Sequence, residues 1–157
     1  HSNYMLIFYM AMLEIKKYPD PVLRKKAAPI KDINGKLQNL IEDMVETMYK
    51  AYGIGLAAPQ IGKSLRLIVI DISKREEKYP LIILLNPEIY FAEGKISSEE
   101  GCLSIPGYVS TIRRAEKVLV KGIDREGKTV EFEATGLLSR VYQHEIDHLD
   151  GILFIDR

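Results

Sequence analysis

The chain has 157 residues, 46% of them apolar, and its 22 Lys plus Arg balance 22 Asp plus Glu, so the formal net charge is zero. That length suits one domain with a real core, and the neutral balance excludes a mainly electrostatic nucleic-acid binder and an acidic disordered tail. One Cys and three His exclude an intrachain disulfide. With His1 set aside, they also exclude a four-ligand zinc finger built from Cys and His alone.

Residues 1–11 read as a tag or non-native extension, because His1-Ser2-Asn3-Tyr4 is a tag-like start, and a native start near Met12 is expected. The apolar run over residues 5–13 is too short to span a membrane and lacks a basic flank and a cleavage site. The expectation is a single catalytic domain over residues 1–157, cytoplasmic, with no membrane partner and no direct nucleic-acid site. Pro19-Asp20-Pro21 marks a turn or extended segment, and Val22-Leu23-Arg24 opens an ordered stretch of undetermined direction.

Residues 36–52 give the strongest helix signal. Leu37, Leu40, Ile41, Met44, Val45, Met48 and Tyr52 recur at helical spacing. Asn34 is placed to cap the start and Gly53 to end it. The Met-rich stripe reads as core packing. The following loop, Gly53-Ile54-Gly55-Leu56-Ala57-Ala58-Pro59-Gln60-Ile61-Gly62, leaves a helix and precedes a strand, so it is no dinucleotide fingerprint. A helix cap and tight turn explain Gly53 alone. The excess of small residues suggests backbone close to a ligand, and the Gln60 amide can donate to a developing oxyanion.

Strands are expected at 65–71, at 81–85 closed by Asn86-Pro87, at 89–91, and as a hairpin of 117–123 with 129–132 around Asp124-Arg125-Glu126-Gly127. A second helix is expected over 136–149, with Thr135 as N-cap and Gly151 as stop. Helices and strands are segregated. The predicted class is therefore α+β, with mostly antiparallel sheets packed around the second helix.

That helix carries Gln143-His144-Glu145-Ile146-Asp147-His148. Residues four apart share a helix face, so His144 and His148 can bind one metal while Glu145 acts on its water. This is the H-E-x-x-H arrangement of metal-assisted hydrolysis. Catalytic metal sites usually take three protein ligands, and Cys102 is the remaining soft donor, in Glu99-Glu100-Gly101-Cys102-Leu103-Ser104. A lone Cys is more often a small buried hydrophobe, but beside an incomplete two-His site the ligand reading is the stronger. A thiolate suits Fe(II), Zn, Co or Ni better than Mg or Ca.

Three segments together resemble peptide deformylase: residues 53–60 of the glycine loop, Glu100-Gly101-Cys102-Leu103-Ser104, and Gln143-His144-Glu145-Ile146-Asp147-His148. The stretches 20–24 and 151–154 are similar as well. The resemblance implies removal of the formyl group from the N-terminal formyl-methionine of nascent polypeptides, with release of formate. It implies Cys102, His144 and His148 as ligands of one catalytic Fe(II), which Zn, Ni or Co replaces in purified material. It makes Glu145 the general base, then acid, and makes Gln60 and the Leu103 N–H the oxyanion donors. Ile54 and Gly55 would line the substrate channel, and Leu137 and Val141 the methionine pocket.

The chain departs from the family at Tyr108-Val109-Ser110, where an Arg is frequent on the substrate side. Arg140 stands where an apolar residue is common, placed to snorkel or to narrow the pocket. The chain ends at Arg157, as a short subtype or a truncated form would, before a C-terminal helix linked in the family to transient ribosome association. Two other classes compete with this reading. One is an H-E-x-x-H endopeptidase, with a third ligand other than Cys102. The other is a non-enzymatic metal-binding domain with a closed coordination shell.

Overall fold

The computed structural model describes residues 13–157. The expected tag and the start near Met12 lie outside the described residues. Helix α1 spans Gly35–Lys50, and the Asn34 side chain accepts from the Leu37 N–H at 2.9 Å, as its capping role requires. Leu37, Ile41, Met44 and Met48 are buried along its inner face.

The helix ends before its predicted limit. Gly53 N–H returns to the Met48 carbonyl and Tyr52 N–H to that of Tyr49, which is a Schellman closure. Tyr52, not Gly53, takes the left-handed position (φ 57) and leaves the apolar stripe with 89% of its surface exposed. Gly53 serves a different need: a Cβ there would stand 2.9 Å from Leu103 Cδ1.

Seven strands follow: β1 (Gly55–Ala57), β2 (Leu67–Ile70), β3 (Ile82–Glu93), β4 (Ile96–Cys102), β5 (Ile105–Arg114), β6 (Lys117–Ile123) and β7 (Thr129–Thr135). Five form an antiparallel sheet in the order β1-β2-β3-β6-β7, and β4 and β5 form a separate antiparallel hairpin. The class is α+β with mostly antiparallel sheet. Helix α2 spans Gly136–Leu149.

Strand β2 explains how the layers assemble. Alternate side chains face opposite sides of a sheet. Ile68 and Ile70 join the core beneath α2 with Leu138, Val141 and Tyr142. Leu67 and Val69 join the core beneath α1 with Ile41, Met44 and Met48. All four β2 residues are fully buried, which is why the segment reads as an unbroken apolar run.

The two short strands expected on either side of Asn86-Pro87 are one. The strand runs through a register shift between Leu85 and Glu88, with Asn86 at φ 49. The Asn86 amide accepts from Ile30 N–H at 2.8 Å and donates to Ile30 O at 3.0 Å. A bulge accommodates a Pro that cannot donate to the ladder. The glycine loop likewise holds structure, since it contains β1 and a 3-10 turn over Ala58–Ile61. Residues 96–114, which include the Cys102 segment, form the unforeseen β4–β5 hairpin.

Thr135 stands at the N-cap of α2 but makes no side-chain capping bond. Gly151 ends the helix at φ 73, and a Cβ there would collide with the Arg24 carbonyl, standing 2.7 Å from its carbon. Gly151→Ala is therefore expected to cost about 3 kcal/mol and to lower the melting temperature by roughly 10 °C, read by thermal denaturation.

Candidate metal and catalytic site

Donor atoms of Cys102, His144 and His148 all lie within 4.8 Å of one another. Helix α2 supplies both imidazoles from one face, their ring centroids 5.1 Å apart. The hairpin supplies the sulfur: a register shift between Glu100 and Cys102 ends β4 and turns the thiol toward the helix, 3.4 Å from His148 Nε2. His144 Nδ1 is engaged by Glu100 Oε1 at 3.0 Å, which leaves Nε2 for the donor group. His148 Nδ1 has no hydrogen-bond partner among the described residues.

The electrostatics favour a cation here. Burial lowers the His144 pKa, but hydrogen bonds with Cys102 and Glu100 and the charge of Glu145 outweigh it and push it up to about 10. Burial, reinforced by His144 and Arg114, holds His148 well below the usual imidazole range, in the neutral form that ligates. One thiol and two imidazoles, one imidazole oriented by a carboxylate, fit a borderline-soft divalent ion with an open position. An ion held there would displace the His144 proton.

Glu100 organises the surroundings. It receives Arg114 Nε at 2.6 Å, Arg114 Nη2 at 2.9 Å and Arg140 Nη2 at 2.7 Å. Burial opposes its ionisation, yet the bonds from His144 and Arg114 hold its pKa down to about 2. A depressed carboxylate stabilises the fold at pH above its unfolded value, and that contribution is lost as pH falls through the folded one. Urea titrations are expected to show on the order of 3 kcal/mol disappearing between about pH 4.5 and pH 2. Glu100→Gln is expected to flatten that limb and to be less stable at pH 7.

Glu145 is 4% exposed, and its Oε1 has no hydrogen-bond partner among the described residues. Burial pushes its pKa up to about 7, against the lowering influence of His144 and Arg114. That is the range a general acid–base needs at neutral pH. Gly55 makes room for it: a Cβ at Gly55 would lie 2.5 Å from Glu145 Oε2.

Gln60 comes from the 3-10 turn after β1. Its Oε1 accepts from Ala57 N–H at 2.9 Å, which turns Nε2 toward Cys102 Sγ at 3.5 Å and Ser104 Oγ at 3.2 Å. A cleft of about 390 Å³ joins the parts. Ile54, Gly55, Gln60, Cys102, Leu103, Leu137, Val141, His144 and Glu145 all line it, and His148, 1% exposed, lies behind the lining residue Cys102 with its Nε2 3.4 Å from the sulfur. The structure thus brings together the residues expected to ligate the metal, to act in catalysis and to line the substrate pocket. Sequence patterns do not point to Arg114, Asp147 or Ser104, whose roles come from long-range contacts. Glu100 stands two residues before Cys102, with no local sign in the sequence that it reaches His144. Arg140 does not snorkel: it is 6% exposed and turned onto the hairpin. Tyr108 and Val109 are exposed and lie outside the cleft lining.

A cysteine–histidine–histidine group beside a buried glutamate, on an α+β scaffold, defines a metal-dependent hydrolase. Residues 12–157 match the family model described as polypeptide deformylase. The chain belongs to the peptide deformylase family. It is 65% identical over 148 residues to the peptide deformylase of Thermodesulfovibrio yellowstonii, covering 94% of this chain and 90% of that protein. The crystal structure of a peptide deformylase from Legionella pneumophila superposes with a TM-score of 0.88 at 52% identity, over 92% of this chain and 85% of that one. That of the Synechococcus elongatus enzyme, solved in complex with actinonin, gives 0.87 at 44%, over 92% and 78%.

Proposed function

We propose that the chain hydrolyses the formamide bond of N-terminal formyl-methionine on nascent polypeptides, releasing formate. The reaction occupies one catalytic domain in which the H-E-x-x-H helix is central. The observation that carries this reading is the Cys102, His144 and His148 donor group meeting Glu145 in a single cleft, in a member of this family.

Cys102, His144 and His148 would hold the metal, with Fe(II) as the expected ion and Zn, Ni or Co as substitutes. When bound, a divalent ion acidifies water and polarises a carbonyl. Glu145 takes the proton of the attacking water and passes it to the departing amine nitrogen as the C–N bond breaks. Gln60 Nε2 and the Leu103 N–H donate to the formyl oxygen as charge develops on it. Ile54 and Gly55 offer backbone to the peptide, and Leu137 and Val141 receive the methionine side chain. The substrate implies a cytoplasmic location and transient ribosome contact. No helix among the described residues is long and apolar enough to cross a membrane.

The test is a pair of peptides identical except for a formyl or an acetyl group on the terminal methionine. The expected result is loss of formyl only, with actinonin competing. Internal fragments would favour the endopeptidase reading. Gly55→Ala is expected to retain metal but to lower kcat by about a hundredfold, because the added methyl displaces the Glu145 carboxylate. Metal analysis beside steady-state kinetics checks it.

A further inference from the structure

Arg140 is a buried cation on the helix that carries both histidines, and burial of a guanidinium demands acceptors. It finds them on the hairpin that carries Cys102. Its Nη1 donates to Ile96 O at 3.3 Å. Its Nη2 lies 3.1 Å from Ser98 O, 3.3 Å from Ile112 O and 2.7 Å from Glu100 Oε2. Two of those carbonyls belong to β4 and one to β5. The fourth acceptor is the carboxylate that fixes His144 Nδ1. The hairpin is a sheet separate from the five-stranded one and joins β3 and β6 only through residues 94–95 and 115–116, so side-chain bonds help to fix where it meets α2. That placement decides whether the sulfur and the two imidazoles converge.

We propose that Arg140 is a positioning residue that locks the Cys102 hairpin to the histidine helix and thereby sets how tightly the donor group holds its metal. The proposal rests on Cys102, His144 and His148 being the ligands. It gives this buried Arg a task that a pocket-lining apolar side chain cannot perform. Arg114, on β5, grips the same Glu100 and also Asp147 of α2, but among the described residues its side chain makes no hydrogen bond to the hairpin backbone, where Arg140 makes three.

The test is release of Ni or Zn from the loaded protein to a chelator, at a temperature well below unfolding. Arg140→Met keeps bulk without donors, and Arg140→Lys keeps charge without the fork. Outer-shell partners of metal ligands typically change affinity by about tenfold to a hundredfold. Release from Arg140→Met is expected to accelerate by about that factor, with Arg140→Lys between it and the wild type. The thiolate charge-transfer band of the Co(II)-loaded protein is expected to shift in parallel. Leu138→Ala, a buried change on the same helix within the core formed with Ile68 and Ile70, serves as the stability control. Wild-type release rates and an unshifted band in both Arg140 variants would overturn the proposal. So would equally fast release from Leu138→Ala. If Cys102→Ala held metal as tightly as the wild type, the ligand assignment itself would fall, and this proposal with it. Should Arg140→Met not fold, the Lys variant decides.

Discussion

Glu145→Ala is expected to keep its metal and to lose about a thousandfold to ten-thousandfold in kcat. The side chain is buried at 4% exposure, and its Oε1 has no hydrogen-bond partner among the described residues, so its removal breaks no structural bond at that atom. The donor atoms of Cys102, His144 and His148 come from other side chains and stay in place. What disappears is the proton carrier, whose pKa burial has raised to about 7. Glu145→Asp, a carboxylate drawn back by one methylene, is expected to recover part of the rate. Metal content measured beside kcat separates this role from a structural one. Equal loss of metal and activity would contradict it.

Cys102→Ala is expected to weaken metal binding by about a thousandfold, on the order of 4 kcal/mol. Two imidazoles would remain, without the thiolate that supplies negative charge and softness. The change is small in volume and sits at the end of β4, so the fold is expected to survive. Chelator competition measures the loss. An endopeptidase with another third ligand would hold its metal unchanged in this variant.

The chemistry of the site was more legible in the sequence than the architecture around it. His144, Glu145 and His148 are local on one helix, and the 3.6-residue period alone places the two imidazoles together. Strand β2 was legible because Leu67–Ile70 is buried on both faces. The β4–β5 hairpin was not. Strand β4 reads Ile-Ser-Ser-Glu-Glu-Gly-Cys and is largely exposed or half-buried, so no apolar alternation marks it. Asn86-Pro87 carries a stop signal, yet side-chain bonds to Ile30 turn the interruption into a bulge. Tyr52 occupied a helical register position, and only the closure through Gly53 shows why it leaves the stripe. The Glu100, Arg114 and Arg140 network joins two strands and a helix, and no spacing rule reaches across such separations.

The central claim is that Cys102, His144, His148 and Glu145 together hydrolyse a terminal formamide. The direct measurement is product analysis with a formyl-methionyl peptide and anaerobically Fe(II)-loaded protein. Formate and free α-amine are expected in equal amounts, with the peptide chain intact and the yield abolished by Glu145→Ala. Internal peptide fragments, or an unchanged formyl group on metal-loaded protein, would contradict it.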